Sequence, residues 1–433
     1  MERSLTNQSR SADAALRARA ARVVPGGVYG HVSAALMPAG TPQFFARAKG
    51  ARVWDADGRE YIDYSCAYGP NLLGYGDPRV EAAAERQGRL GDTMTGPSPV
   101  YVELAEKFVS MVTHADWVMF AKNGTDVTTA ALTVARAHTG RRRVLVAAGS
   151  YHGTAPWCSP VTTGILADDR AHRRTYTYND VESLERAVAE AGSDLAAIFV
   201  TPFKHDVFTD QELPRPEYAR RCRALCDKTG ALLVVDDIRG GFRLARDCSW
   251  SLVDVQPDLS CWSKAIANGY PISALLGAEK FRDAASHIFF TGSFWFSAVP
   301  MAAALATLEI VASTRYLEHT VALGNALREG LHERAVAHGL GLSQTGPVQM
   351  PLILFEGDPD LRLGVAFCGA MIQRGIYFHP WHNMFLCSAM TESDIERTLA
   401  AADDAFAEIA RIRMTLRPHE GIAALMASMS AAS

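Results

Sequence analysis

From about residue 100 onward, short apolar runs alternate with segments of helical periodicity, and this alternation limits the fold more than any other feature of the chain. The runs lie at 117–120, 144–147, 195–200, 232–235 and 259–262, with room between them for crossover helices such as 182–191 and 216–229. Such an order is that of an α/β layer built on a largely parallel sheet. LLGA at 275–278 supplies one further strand.

The flanks read differently. A helix over 14–24 is stopped by Pro25-Gly26-Gly27, and ARVWDADGREYIDY at 51–64 has the pattern of a hairpin turning at Asp55 to Gly58. The stretch 301–328 reads as one helix long enough to bridge two domains. Beyond it, PLILF at 351–355 and GIYFHP at 375–380 precede a helix over 392–412 with Thr391 as its N-cap. The closing ALMASMSAAS is expected to fray. The limits follow: an N-terminal segment 1–65 that joins the small domain and an interface, a large domain 66–310, and a C-terminal small domain 311–433.

Composition removes several function classes. With 43 Lys and Arg against 47 Asp and Glu, the net charge of −4 gives no basic surface for nucleic acid. No apolar run reaches the roughly 18 residues of a membrane span, and the first residues carry no apolar leader. Eight scattered cysteines suit a reducing compartment, so a cytoplasmic protein without membrane or nucleic-acid partners is expected. Cys222 with Cys226, and His379 with His382, lack the further ligands of a metal set, so no metal is expected.

Three segments carry chemistry. ALLVVDDIRGGFRLA at 231–245 ends an apolar strand in Asp236 and Asp237, at the carboxyl end where open α/β sheets bind ligands. Period-2 alternation puts Asp236 and Ile238 on one side and Asp237 on the other. CWSKAIANGYP places Lys264 just beyond the next strand. Together they suggest a Schiff-base lysine and an acid that pairs with a pyridinium nitrogen. In MFAKNGTDVTTAAL, Gly124 and Thr125 fall between a strand and a helix, where free amides hold phosphate. No GxGxxG fingerprint and no GxxxxGK[ST] loop is present.

With these pieces the chain resembles the class III, fold-type I enzymes dependent on pyridoxal phosphate, especially the branch of the glutamate-1-semialdehyde aminomutases. The resemblance rests on PGGV at 25–28, YGPNLLGYGDP at 68–78, NGTD at 123–126, SYHG at 150–153, DDIRGGFR at 236–243, SKAIANGYP at 263–271 and GSFWFSAVPMAAALATLE at 292–309. It implies a large domain on a mostly parallel seven-stranded sheet, a smaller α/β domain built from both chain ends, and a homodimer. It also implies pyridoxal 5′-phosphate bonded to Lys264, with Asp236 at the pyridine nitrogen, Ile238 and Tyr151 on the two ring faces, and His152 ordering its loop. Gly124 and Thr125 take the phosphate cup, and Ser293 reaches the phosphate from the partner subunit. The activity implied is aminotransfer from an amino acid or primary amine to a 2-oxo acid or other carbonyl acceptor. An aminomutase or an amino-acid racemase or epimerase is the alternative.

Departures from the family pattern bear on the substrate. Asp237 is one methylene shorter than the usual Glu, Arg239 stands where Met is common, and Val200-Thr201-Pro202 replaces VEP, with Asp206 able to compensate for the missing carboxylate. After PGGV the aminomutase arginine is absent, and Tyr29-Gly30-His31-Val32-Ser33 follows instead. His31, Lys204, Arg239 and His382 are candidate replacements for that carboxylate clamp, and Tyr68 is the candidate aromatic residue beside the substrate. Phe294, Trp295 and Phe296 read mainly as interface packing.

Overall fold

The computed structural model describes residues 11–430. In chain order its strands are β1 (Phe45–Lys49), β2 (Arg52–Asp55), β3 (Glu60–Asp63), β4 (Trp117–Ala121), β5 (Arg143–Ala147), β6 (Arg173–Tyr176), β7 (Leu195–Val200), β8 (Leu232–Asp236), β9 (Leu259–Trp262), β10 (Ser273–Gly277), β11 (Leu342–Thr345), β12 (Leu352–Phe355) and β13 (Ile376–Tyr377). The α-helices are α1 (Ala12–Val23), α2 (Pro78–Leu90), α3 (Val100–Met111), α4 (Gly124–Thr139), α5 (Val181–Ala191), α6 (Pro216–Thr229), α7 (Arg282–His287), α8 (Ala298–Ser313), α9 (Tyr316–Ala337), α10 (Arg362–Gln373), α11 (Glu392–Ile412) and α12 (Glu420–Ser430).

Seven strands form the large sheet, in the order β4-β10-β9-β8-β7-β5-β6. All neighbours are parallel except β10, which is antiparallel to both β4 and β9. Residues 263–272 alone join β9 to β10, too few for the crossover that a parallel return needs. Because β10 reverses twice, β4 runs with β9, and the carboxyl ends of β4, β5, β7, β8 and β9 share one edge of the sheet. Alternation along the strands fills both faces: Val144, Val146 and Phe199 meet α4, while Leu145, Ile198 and Val235 join the core containing Tyr218 and Cys222 of α6. Complete burial of β7 to β10 accounts for their largely apolar sequences, in which Asp236, Ser260 and Ser273 are the polar residues.

The smaller unit takes residues from both ends of the chain. A four-stranded sheet in the order β1-β2-β3-β13 pairs the N-terminal hairpin with a C-terminal strand. Ile62 and Tyr64 share a core with Phe355, Phe367, Phe378, Phe385 and Phe406, and the Tyr64 hydroxyl lies 2.8 Å from Thr398 Oγ1. Arg52 Nη2 meets Asp394 Oδ1 at 2.5 Å, fixing the hairpin to α11. We propose the limits 1–65, 66–310 and 311–433 for the N-terminal segment, the large domain and the C-terminal domain, of which 1–10 and 431–433 lie outside the described residues. Among the described residues no helix is long and apolar enough to cross a membrane.

Two helical expectations are corrected. The single helix over 301–328 is two, α8 and α9, separated at Thr314 and Arg315. The Thr314 hydroxyl and amide both turn back to Ile310 O, at 2.8 and 3.0 Å, and Arg246 Nη2 takes the Thr314 carbonyl at 2.7 Å. A β-branched hydroxyl residue thus ends the helix, and an arginine from another loop holds the break open. The segment expected to fray is helical as far as Ser430, in a helix anchored by Ile422 packed with Leu361 and Trp381. Strands β1, β6 and β11 carry no apolar run, which is why the sequence does not announce them.

The Gly240-Gly241 pair in the β8 to β9 connection is enforced by packing. A Cβ at Gly241 would lie 2.6 Å from Trp262 Cε3 and 2.8 Å from the Asp237 carbonyl oxygen. Trp262 is fully buried. Gly241→Ala is therefore expected to destabilise the fold by about 1–3 kcal/mol through overpacking, read as a lower urea midpoint. An unchanged midpoint would contradict this packing.

Candidate active site

Asp236 closes β8 and is 5% exposed. Its Oδ2 lies 2.8 Å from His152 Nδ1, and its Oδ1 accepts the Ile238 amide at 3.3 Å. Asp237 points the other way, as alternation requires, and accepts from the Ser249 amide at 2.7 Å and hydroxyl at 2.5 Å. Burial pushes the Asp237 carboxyl up to about 7. Its place is structural, anchoring the connection before Trp250.

Lys264 lies just after β9, in the left-handed region at φ 52. Its Nζ donates to the Tyr68 carbonyl at 2.9 Å. Burial, and then the charge of Arg239, draw the amine down to about 7 against the opposing pull of Asp236. A lysine so placed supplies a neutral, nucleophilic amine near neutral pH. The acceptor carbonyl is itself held by Cys66, Ala67 and Tyr68, at φ 45, 54 and 62. Each such non-glycine residue costs on the order of 1–2 kcal/mol, so the surrounding packing must hold this turn in place.

A cradle faces these two groups. α4 starts at Gly124, two residues after β4, and among the described residues the amides of Gly124 and Thr125 find no acceptor. A Cβ at Gly124 would come within 2.8 Å of Ile238 Cδ1. Thr125 Oγ1 accepts the Thr154 amide at 3.1 Å, and Thr128 Oγ1 donates to the His152 carbonyl at 2.7 Å. The helix, the loop carrying Tyr151, and Asp236 are thereby tied together through His152. Tyr151 itself remains 41% exposed.

Above the lysine lies an aromatic and imidazole wall. The Tyr68 hydroxyl donates to the His31 carbonyl at 2.8 Å, and its ring packs edge-on against His31, His379 and His382. His379 Nδ1 accepts the amides of Trp381 and His382 at 3.4 and 3.2 Å, which leaves Nε2 as the protonated nitrogen, 3.5 Å from the Tyr68 hydroxyl. Burial takes His379 down to about 3, and takes His205 and His382 well below the ordinary imidazole value. Arg239 Nη1 donates to Asn383 Oδ1 at 2.7 Å and to the His205 carbonyl at 3.2 Å.

The structure thus brings together Lys264, Asp236, His152, Ile238, Tyr151, Gly124 and Thr125, with Tyr68, His31 and Arg239 beside them. Lys204 is drawn off into an ion pair with Glu212 at 3.0 Å. No hydrogen bond joins Ser293 to the group; it lies on the exposed loop before α8, beside Thr93 to Gly96. The direct contact of His152 with Asp236, and the places of His205 and Asn383, were not foreseen. Only the unusual FKHD at 203–206 and the paired histidines after GIYFHP marked those regions in the sequence.

These residues fit pyridoxal phosphate. Free amides at a helix N-terminus suit a phosphate, a buried acid suits a ring nitrogen, and a neutral lysine suits an aldehyde. The family model for class-III aminotransferases matches residues 36–391. The chain belongs to that family. An aminopentol aminotransferase of Sphingopyxis macrogoltabida is 59% identical, over 96% of this chain and 98% of that protein. The FumI protein of Sphingopyxis sp. MTA144, solved in its PLP internal aldimine form, is also 59% identical and superposes with a TM-score of 0.94, over 95% of this chain and 99% of that one. A glutamate-1-semialdehyde 2,1-aminomutase of Anaeromyxobacter sp. (strain Fw109-5) is 32% identical over 92% of this chain and 98% of its own. The class-III aminotransferase described here is a transaminating enzyme dependent on pyridoxal phosphate.

In this aminotransferase, replacing the Asp236 carboxylate by an amide removes the group able to hold a proton on a ring nitrogen. Asp236→Asn is expected to lower turnover by at least ~10²-fold, as loss of a preorganised electrostatic contact does. Steady-state kinetics beside a thermal melt would check it, and near-normal turnover in a folded variant would contradict the assignment.

Proposed function

We propose that the enzyme transfers the amino group of an amine lacking a carboxylate beside the nitrogen, of the amino-alcohol class, to a carbonyl acceptor. The observation that carries this reading is the meeting of Lys264 with a wall of neutral imidazoles and Tyr68, beside which Arg239 is engaged by Asn383 and the His205 carbonyl. Neutral imidazole and phenol groups recognise hydroxyls by hydrogen bonding without demanding charge. The name of the 59% identical relative, an aminopentol aminotransferase, supports the same donor class.

Within the site, Lys264 is the attachment and proton-transfer residue and Asp236 the partner of the ring nitrogen. Ile238 and Tyr151 flank the ring, and the amides of Gly124 and Thr125 hold the phosphate. His152 is a positioning residue, fixing the Asp236 carboxylate through Nδ1. Pyridoxal phosphate, when bound, supplies an aldehyde for amines and a ring that takes up the electrons left by proton removal. Lys264 would then move the proton, its depressed basicity keeping the amine free near pH 7. The donor C–N bond becomes C=O while the acceptor carbonyl becomes an amine, so no outside oxidant is needed.

Ser293 serves this site from a second copy of the chain in a homodimer. Support comes from the apolar surface around it: Phe289, Phe294 and Phe296 are 95%, 63% and 40% exposed, and Met94 lies beside the same cleft. Eight free, buried cysteines support a cytoplasmic setting. The aminomutase-like branch is proposed for the chain, with the 32% identical glutamate-1-semialdehyde 2,1-aminomutase in support, and aminotransfer as its outcome.

Single-turnover spectra of the holoenzyme with a panel of amino alcohols, simple amines and α-amino acids test this reading. Amino alcohols are expected to convert the cofactor to its aminated form with release of a carbonyl product, and α-amino acids to do so more slowly. Solvent deuterium uptake into an α-amino acid with racemisation, and without aminated cofactor, would overturn it.

A further inference from the structure

Three imidazoles pack edge-on against the Tyr68 ring, and their hydrogen bonds give them different chemistry. His379 is committed at both nitrogens: Nδ1 accepts the backbone amides of Trp381 and His382, and Nε2 faces the Tyr68 hydroxyl at 3.5 Å. That hydroxyl spends its own proton on the His31 carbonyl at 2.8 Å. His31 is exposed, and among the described residues no hydrogen bond to its ring selects a tautomer.

His382 differs from both. Its Nδ1 lies 2.6 Å from the Asn383 carbonyl oxygen, an atom that can only accept, so Nδ1 carries the ring proton. Burial, and then the charge of Arg239, hold this ring in its neutral form. Nε2 is therefore a bare acceptor. Among the described residues no N–H or O–H donates to it, and it is not one of the sealed orphan atoms, so it opens on the space beside Tyr68. The peptide that orients it is itself anchored, since Asn383 Oδ1 takes Arg239 Nη1 at 2.7 Å and Asn383 Nδ2 donates to the Met384 carbonyl at 3.1 Å.

A ligand that fills this cleft displaces water from Nε2. One that brings an O–H restores the lost hydrogen bond, whereas a methylene leaves the lone pair unpaired on a residue only 8% exposed. An ether oxygen, which can only accept, meets that lone pair with repulsion. We propose that His382 is a specificity-determining residue for the amino donor, its Nε2 accepting the O–H of a hydroxyl carried near the reacting amine. The proposal rests on the amino-alcohol reading above and deepens it, assigning to one atom the contact that separates an amino alcohol from a plain amine. Lys264 and His382 meet the same residue, the first at the Tyr68 carbonyl and the second at its ring, which places the amine and the hydroxyl on one side of the cleft.

The test gives the holoenzyme 3-aminobutan-2-ol and 4-aminopentan-2-ol, each beside its own methyl ether and its own deoxy amine, and follows single-turnover formation of the aminated cofactor. At least one amino alcohol is expected to exceed both its ether and its deoxy amine by about 10-fold in kcat/KM, the worth of one hydrogen bond to a buried acceptor. His382→Leu is expected to abolish this advantage, and His382→Gln, whose amide oxygen still accepts, to keep part of it. The ether comparison is made on the unmutated enzyme, so it decides even where H382L folds poorly. Nitrogen-15 NMR of the histidine-labelled holoenzyme reads the ring directly: the His382 signals, identified by their loss in H382Q, are expected to show a protonated Nδ1 and a bare Nε2 at neutral pH. An ether as good as its alcohol, an advantage that survives in H382L, or a protonated Nε2 would overturn the proposal and leave the amino-alcohol reading standing. Deoxy amines that react as fast as both amino alcohols in the unmutated enzyme would overturn the two together.

Discussion

A carboxylate at 5% exposure on the end of an apolar strand must be given partners, and much of this structure follows from the partners given to Asp236. His152 supplies one at 2.8 Å, from the loop after β5. That loop is tied in turn to α4 by Thr128 and Thr125, so the N-terminus of α4 and the acid are set by one network. An isolated buried charge costs several kcal/mol, and a hydrogen-bonded one far less. The common edge formed by the parallel strands is what lets loops distant in sequence meet this group.

The reversal at β10 has an equal share in the site. A short link between antiparallel β9 and β10 forces the chain through a tight turn at Lys264, whose φ of 52 is a consequence. The lysine is thereby held at the sheet edge, half-buried, with its amine on the Tyr68 carbonyl. Burial, and then the charge of Arg239, keep a large share of the lysine amine unprotonated near neutral pH against the opposing pull of Asp236.

Much of this was legible in the sequence because the buried strands are mostly apolar and lead into the residues that matter. The runs at 195–200 and 259–262 coincide with β7 and β9, and alternation correctly separates Asp236 from Asp237. What escaped has physical reasons. RRTY of β6 is an edge strand with little apolar content, and the break at Thr314 depends on Arg246, 68 residues away. His152 meets Asp236 across 84 residues, a contact that no local pattern encodes. Lys204, singled out for its charge, is spent on Glu212 across a local bridge.

The central claim is that Lys264 is the residue on which the cofactor is held. Borohydride reduction of the holoenzyme, followed by peptide mass measurement, tests it most directly. A phosphopyridoxyl group confined to the peptide containing Lys264, and absent from a Lys264→Ala protein, is the result expected. The same label on another lysine, or normal turnover by the Lys264→Ala protein, would contradict it.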